Sequence, residues 1–275
     1  SQVDYVIEGP YTPLAQIPSA IPSEIDKKIA DIVVNEIENR ACLQLGIGGI
    51  PGAIGSLIAH SDLKELGVHT EMMMDAFVDL YEAGKITGQH KSIDRYKMAY
   101  CFALGTQRLY DFLHENPGCA SYPAAYTNDP AIIKQNDKVV SINNALQIDL
   151  LSQVSAESQG FRQISGTGGQ LDFMLGSMMS KGGKGFICMN STYTDKEGKA
   201  HSRIMPTLTE GTVVTTPRSL AHYVVTEYGI IQLKGLNTWQ RAEALISIAH
   251  PDFRDELVAG AGRMGLWKRS QKQMD

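Results

Sequence analysis

The sequence has no long apolar run and no basic cluster. No stretch approaches the roughly 18–20 apolar residues of a helical membrane span. Lys and Arg number 25 against 30 Asp and Glu, and the net charge is −5. Without a Lys/Arg face, nucleic-acid binding is not expected. Cysteine is scarce: Cys42, Cys101, Cys119 and Cys188 are the only four in 275 residues, and no two form a CxxC pair. Cys42, Cys101 and Cys188 stand in apolar runs and read as buried thiols of a reducing cytoplasm. No HExxH or comparable spacing is present, so no metal is expected. There is no internal repeat, low-complexity tract or clear linker. No secretory signal is read, and the first residue is Ser rather than Met, which reads as a processed chain or a piece of a longer one.

What is present is an ordinary globular composition, 43% apolar and 20% charged. Residues 1–20 hold three prolines and no period and read as an extended arm. Residues 21–275 read as one α/β domain. Ser23 can cap a helix whose Ile25, Ile29, Ile32, Val33 and Ile37 share a face. "ACLQLGIGGIPGAIGSLIAH" follows as strand, glycine turn and helix. "GVHTE" is a short strand, "DAFVDLYEAG" a helix ended by Gly84, "YKMAYCFALG" a buried strand, and a helix starts at Thr106. This alternation predicts an open, mainly parallel sheet covered by helices. Further on, Val139 to Val154 alternates as strand material, and "SGTGGQLDFMLGSMMS" is a glycine loop feeding a helix. "GKGFICMNST", "RIMPTL", "GTVVTTP" and "HYVVTEYG" are short strands, and the end reads as helix, proline break, helix. The sheet is therefore expected to be mixed.

Three features can carry chemistry. In "LGIGGIPGAIG", Gly46, Gly48 and Gly49 end a strand and Pro51 fits the first turn of the next helix. Backbone N–H groups there can face a phosphate or an oxyanion, or the glycines can serve a tight turn alone. The dinucleotide fingerprint fits in part only, since its last glycine position is Pro51. The second feature is Glu71, in "GVHTEMMMDA". It can bind a ribose hydroxyl, given its distance past the glycines. It can be a helix N-terminal carboxylate. It can also be a poorly solvated nucleophile at a strand end. His69, two residues earlier, shares its face if the segment is a strand; it reads as structural or as tuning the carboxylate. The third feature, "SGTGGQLDF", repeats the glycine-turn device and is either a flexible connection or a second ligand loop. His60, His90, His114 and His222 receive no role.

Several motifs in order resemble one family: "GIGGIP" (46–51), "GVHTEM" (67–72), "SINNALQIDL" (141–150), "SAESQGFRQISGTGGQLDF" (155–173), "VVTTPR" (213–218), "VVTEYGI" (224–230) and "IAHPDFRDEL" (248–257). Together they are similar to the C-terminal half of the acetyl-CoA hydrolase/transferase family of coenzyme A transferases, in the branch of the 4-hydroxybutyrate and butyryl-CoA:acetate CoA-transferases. The resemblance implies a CoA-transferase-like α/β half and puts the covalent nucleophile on Glu71. It implies that Gly46, Ile47, Gly48, Gly49 and Ile50 contact coenzyme A, with further contacts near Leu146 and Gly169. Coenzyme A is then a substrate, and no tightly bound cofactor is implied. The implied partners are acyl-CoA and carboxylate substrates, the family's N-terminal half, and further copies in a homo-oligomer; the implied compartment is cytoplasmic.

In the implied reaction Glu71 attacks a short-chain acyl-CoA and forms a mixed anhydride. The released CoA thiolate returns to the Glu71 carbonyl to give a glutamyl-CoA thioester, and a carboxylate such as acetate reverses the steps in ping-pong fashion. Gly168 and Gly169 are placed near the oxyanion. Because the family's other half is absent, the chain alone is expected to turn over poorly. Glu157 in "AESQG" is the second candidate nucleophile and Glu227 in "TEYG" a weaker third. The rival functions are an acyl-CoA hydrolase of the same family, a nicotinamide-dependent oxidoreductase using Glu71 on a ribose, and a non-catalytic CoA-binding module.

Overall fold

A computed structural model describes residues 4–10, 12–18 and 20–267. The remaining residues of the expected arm (1–3, 11 and 19) and of the expected domain (268–275) lie outside the described residues. The described arm has no regular structure. It lies along the molecule through the Ile17 N–H on the Gly105 carbonyl at 3.1 Å and the Tyr110 hydroxyl on the Ala15 carbonyl at 2.5 Å.

The first half alternates helix and strand: α1 (Glu24–Val34), β1 (Cys42–Leu45), α2 (Gly49–His60), β2 (Gly67–Met73), α3 (Asp75–Glu82), β3 (Met98–Ala103), α4 (Gln107–Leu113) and β4 (Cys119–Ser121). Two single-turn helices, α5 (Ala124–Thr127) and α6 (Pro130–Ile133), lead to β5 (Val139–Asn144). Then come β6 (Gln147–Asp149), β7 (Val154–Ser155), the hairpin of β8 (Ser158–Gln159) and β9 (Arg162–Gln163), α7 (Gln170–Met179) and β10 (Lys184–Cys188). The chain closes with β11 (Thr192–Thr194), β12 (Ala200–Ser202), β13 (Ile204–Met205), β14 (Tyr223–Thr226), β15 (Gly229–Gln232), α8 (Thr238–Ser247) and α9 (Pro251–Arg263).

The main sheet has eight strands in the order β15-β14-β10-β5-β1-β2-β3-β4, all parallel except the β14–β15 hairpin. β1 and β5 are buried along nearly all their length because helices cover both faces. Val68 packs into the core with α1, α2 and α3, whereas its neighbour His69 packs on Phe173 of α7. Successive strand residues point to opposite faces, so α5–α7 cover the other side. The second core cluster joins β6, β10 and β14 to α8 and α9. No helix among the described residues is long and apolar enough to cross a membrane.

The topology reverses at the middle. From β1 the chain moves outward through β2, β3 and β4, then returns to place β5 on the other side of β1. The carboxyl ends of β1 and β5 thus flank a switch point, where open α/β sheets leave a crevice for ligands.

Several expectations need correction. The Val139–Val154 run is not one strand. β5 ends at Asn144, and β6 and β7 belong to a small separate sheet with β13. "GTVVTTP" forms no strand. It makes a single bridge, Val154 with Thr216, and leaves Val213 and Val214 exposed. β3 is buried only at its start, and Phe102 near its end is exposed. Cys101 is half-buried rather than buried; Cys42 and Cys188 are buried as expected.

Candidate active site

β2 runs past the expected "GVHTE" to Met73, and α3 starts only at Asp75. Glu71 is therefore a strand residue, which removes its reading as a helix N-terminal carboxylate. On that strand His69 and Glu71 share the face covered by α5 and α7. Each Glu71 oxygen meets one donor. Oε1 accepts from the Asn128 side-chain amide at 3.0 Å, and Oε2 accepts from the Gly169 backbone N–H at 3.0 Å. A carboxylate so bonded is aimed at the loop before α7 rather than outward.

Gly169 has to be glycine for a steric reason. A Cβ there would stand 2.8 Å from Glu71 Oε2 and 2.5 Å from Asn128 Nδ2. Such contacts exclude a side chain without moving the carboxylate or its second donor. Gly168 (φ +55°) turns the loop into position, but its N–H is not the one on Glu71.

Asn128 was not singled out from the sequence. Its amide is oriented by its neighbour, because the Thr127 hydroxyl donates to Asn128 Oδ1 at 3.1 Å and leaves the NH₂ to face Glu71. Thr127 is fixed by His69, whose Nε2 lies 2.9 Å from the Thr127 carbonyl. A carbonyl only accepts, so Nε2 carries the proton. His69 is fully buried between Tyr126 and Phe173, and burial pushes its pKa down to about 4. It does not bond Glu71. It acts as a neutral post for the helix that presents Asn128. Asp172, in the first turn of α7, is raised above the usual carboxylate range by burial, then by the charges of Glu71 and Asp129.

Of these groups Glu71, Gly168 and Gly169 open on a cleft of about 450 Å³ at the switch point. Its walls include Gly46 and Ile47 after β1, Asn143 and Asn144 at the end of β5, Glu71, Glu157 and the 165–170 loop. Beneath it lies a buried polar triad. Ser141 Oγ donates to Gln44 Oε1 at 2.6 Å, Asn143 Nδ2 to Ser141 Oγ at 2.8 Å, and Gln44 Nε2 to Asn143 Oδ1 at 3.4 Å. Gln44, Ser141 and Asn143 were not expected from the sequence; polar residues inside central strands are the signal that points to such a floor. Asn144 donates to the Ile47 carbonyl at 2.5 Å and so pins the glycine loop. Gly48, at φ +124°, lets Asn144 approach, since a Cβ would meet its Nδ2 at 2.8 Å.

Of the other expected CoA residues, Gly48 lines an adjoining small hollow, while the Ile50 side chain is part of the core under α2. Leu146 does not line the cleft. Its N–H is on the Ser155 carbonyl and its carbonyl accepts from Arg203. Glu227 also stands away from the cleft, with its oxygens held by the Ser191 N–H and hydroxyl at 2.9 and 2.6 Å. Among the described residues, no group of three or more His, Cys, Asp or Glu is placed to hold a metal.

A family model described as the acetyl-CoA hydrolase/transferase C-terminal domain matches residues 105–261, which include Asn128 and Gly169 and start beyond Glu71. The butyryl-CoA:acetate CoA-transferase of Anaerostipes caccae is 56% identical over 273 residues, 99% of this chain and 61% of the relative. The 4-hydroxybutyrate coenzyme A transferase of Clostridium kluyveri is 44% identical over 258 residues, 94% of this chain and 59% of its own. Among solved structures, RipA from Yersinia pestis superposes with a TM-score of 0.86 at 42% identity, covering 93% of this chain and 57% of that one. The 4-hydroxybutyrate CoA-transferase from Porphyromonas gingivalis gives a TM-score of 0.77 at 37% identity, covering 92% and 58%. The chain thus spans about three fifths of the relatives it matches.

Proposed function

The chain belongs to the acetyl-CoA hydrolase/transferase family, and on that premise we propose that it is the nucleophile-bearing part of a CoA-transferase. Its substrates would be a short-chain acyl-CoA, butyryl-CoA or 4-hydroxybutyryl-CoA, and a carboxylate such as acetate. The observation that carries the reading is the Glu71 carboxylate at the switch-point cleft with one donor on each oxygen.

One oxygen of Glu71 attacks the thioester carbon. The acyl–sulfur bond breaks, and the products are a mixed anhydride and CoA thiolate. The thiolate then adds to the Glu71 carbonyl carbon. The negative charge of that tetrahedral state sits on Glu71's own oxygen, and the free acid leaves as its carboxylate. Since Asn128 and Gly169 address different oxygens, the oxygen that takes the charge keeps a donor whichever one attacked. A preset donor of this kind is worth about 3 kcal/mol at an oxyanion. The incoming carboxylate attacks the glutamyl-CoA thioester, and the steps run in reverse. Gly46 to Gly49, at the start of α2, would hold coenzyme A through backbone N–H groups.

Transferase is favoured over hydrolase by the relatives' own names, both of which describe transfer. The remaining two fifths of the relatives' length would supply the other wall of the cleft. The test is acetate-dependent conversion of butyryl-CoA into acetyl-CoA and butyrate, measured with this chain joined to that remaining portion. We expect exchange in the parent and none in Glu71→Gln. Full exchange by Glu71→Gln would overturn the assignment, and acetate-independent CoA release would turn it to the hydrolase.

A further inference from the structure

Glu157 shares the cleft with Glu71, but what it holds is the loop between them. Residues 161 to 168 are exposed without a break, and Phe161 and Ile164 are 86% and 51% exposed. So long an exposed stretch gains little from apolar packing and depends on its hydrogen bonds for a fixed path. The β8–β9 pairing holds Arg162 and Gln163 at its start, and beyond that pairing two glutamates supply ties to the rest of the molecule. At the far end, the Gly169 N–H donates to Glu71 Oε2. In the middle, the Ile164 and Ser165 N–H groups donate to the Glu157 backbone carbonyl at 2.7 and 3.2 Å, and the Gln163 amide donates to Glu157 Oε1 at 3.4 Å. The other Glu157 oxygen accepts from the Thr215 hydroxyl at 3.0 Å, and the Thr215 N–H is itself fixed on the Val154 carbonyl at 2.8 Å. Glu157 is only 4% exposed, so it links a surface loop to the body of the molecule.

The two ties do not behave alike during the reaction proposed above. A carboxylate is a strong acceptor; the oxygen of an anhydride or thioester is neutral and a weaker one. When Glu71 carries an acyl group or CoA, the loop therefore loses strength at Gly169, at the stage when that N–H is needed on the Glu71 carbonyl. Glu157 forms no bond to substrate in that sequence, and its hold does not change. We infer that Glu157 is a positioning residue, which keeps the 163–169 loop in register so that the Gly169 N–H stays on Glu71 in its uncharged states. The inference rests on Glu71 as the nucleophile and gives the second candidate glutamate of this sequence a different task.

The test combines hydrogen exchange with trapping kinetics on the full chain. Glu157→Gln sets an amide against the Gln163 amide and removes one charge-assisted bond. Exchange in the 163–169 peptide is expected to rise about tenfold, while α8 and α9 and the thermal midpoint stay unchanged. Thr215→Val, which removes the other support, should loosen the same peptide by less. Unchanged exchange there in both variants would overturn the inference, whether or not the chain turns over. On the chain joined to the missing portion, Glu157→Gln should also slow formation of the trapped Glu71 adduct at saturating acyl-CoA, with acyl-CoA affinity unaltered and with partial recovery in Glu157→Asp. A normal rate, or a loss confined to affinity, would overturn the positioning role. If the parent forms no adduct on Glu71, the nucleophile reading fails by itself, and the exchange result still decides whether Glu157 holds the loop.

Discussion

Asn128 and Gly169 divide the Glu71 carboxylate between them, and the two donors differ in how a mutation reaches them. Asn128→Ala removes a side-chain donor from a preset site, so the rate of glutamyl-CoA formation should fall about 10²–10³-fold with acyl-CoA binding largely kept. Single-turnover kinetics would check this. Gly169→Ala acts by volume, because its Cβ would press on both Glu71 and Asn128. It should abolish turnover while leaving the thermal midpoint close to the parent's. His69 carries a pH signature. Its pKa of about 4 in the folded chain lies below the ordinary value of 6.5. The unfolded chain therefore binds more protons between those values, and the contribution of His69 is complete above pH 6.5 and lost as pH falls toward 4. His69→Gln, which keeps an N–H for the Thr127 carbonyl, should flatten the fall of the thermal midpoint between pH 7 and 5. A midpoint curve parallel to the parent's would contradict the buried neutral histidine.

At the scale of elements, the glycine-rich turns and the capped helices were legible because their signals are local. Ser23 and Asp26 form a reciprocal capping box, with the Asp26 N–H on Ser23 Oγ at 3.1 Å and the Ser23 N–H on Asp26 Oδ2 at 2.9 Å. Ser23→Ala should cost about 1 kcal/mol in a denaturant titration. Gly84 and Thr106 mark helix ends at the expected places. The extension of β2 to Met73 was not legible. It depends on the parallel pairing of Met72 with Phe102 and Met73 with Ala103, a contact with a strand about 30 residues away. The same reason hid Asn128, which sits in a short Asn-Asp-Pro turn and reaches Glu71 across 57 residues of sequence. "GTVVTTP" failed as a strand because β propensity counts only where a neighbouring strand accepts the pairing. Glu71 and the loop before α7 were found as separate features. That they touch is a fact of topology.

At the scale of the molecule, the site lies where the strand order reverses, and the cleft is bounded by loops from β1, β2, β5 and α7. The motifs gave the fold class and the family, because ordered motifs over most of the chain are far more specific than one glycine loop. The 275 residues span about three fifths of the relatives, and what the rest of those relatives adds is not written in them. The central claim is that Glu71 becomes covalently acylated and then carries CoA. The most direct measurement joins this chain to the missing portion, adds butyryl-CoA without acceptor, reduces with borohydride, and locates the modified residue by mass spectrometry of the digested protein. The expected result is a single reduced glutamate at Glu71, absent from Glu71→Gln and suppressed by prior addition of acetate. Reduction at Glu157 instead, or acetate-dependent exchange with an unmodified Glu71, would contradict it.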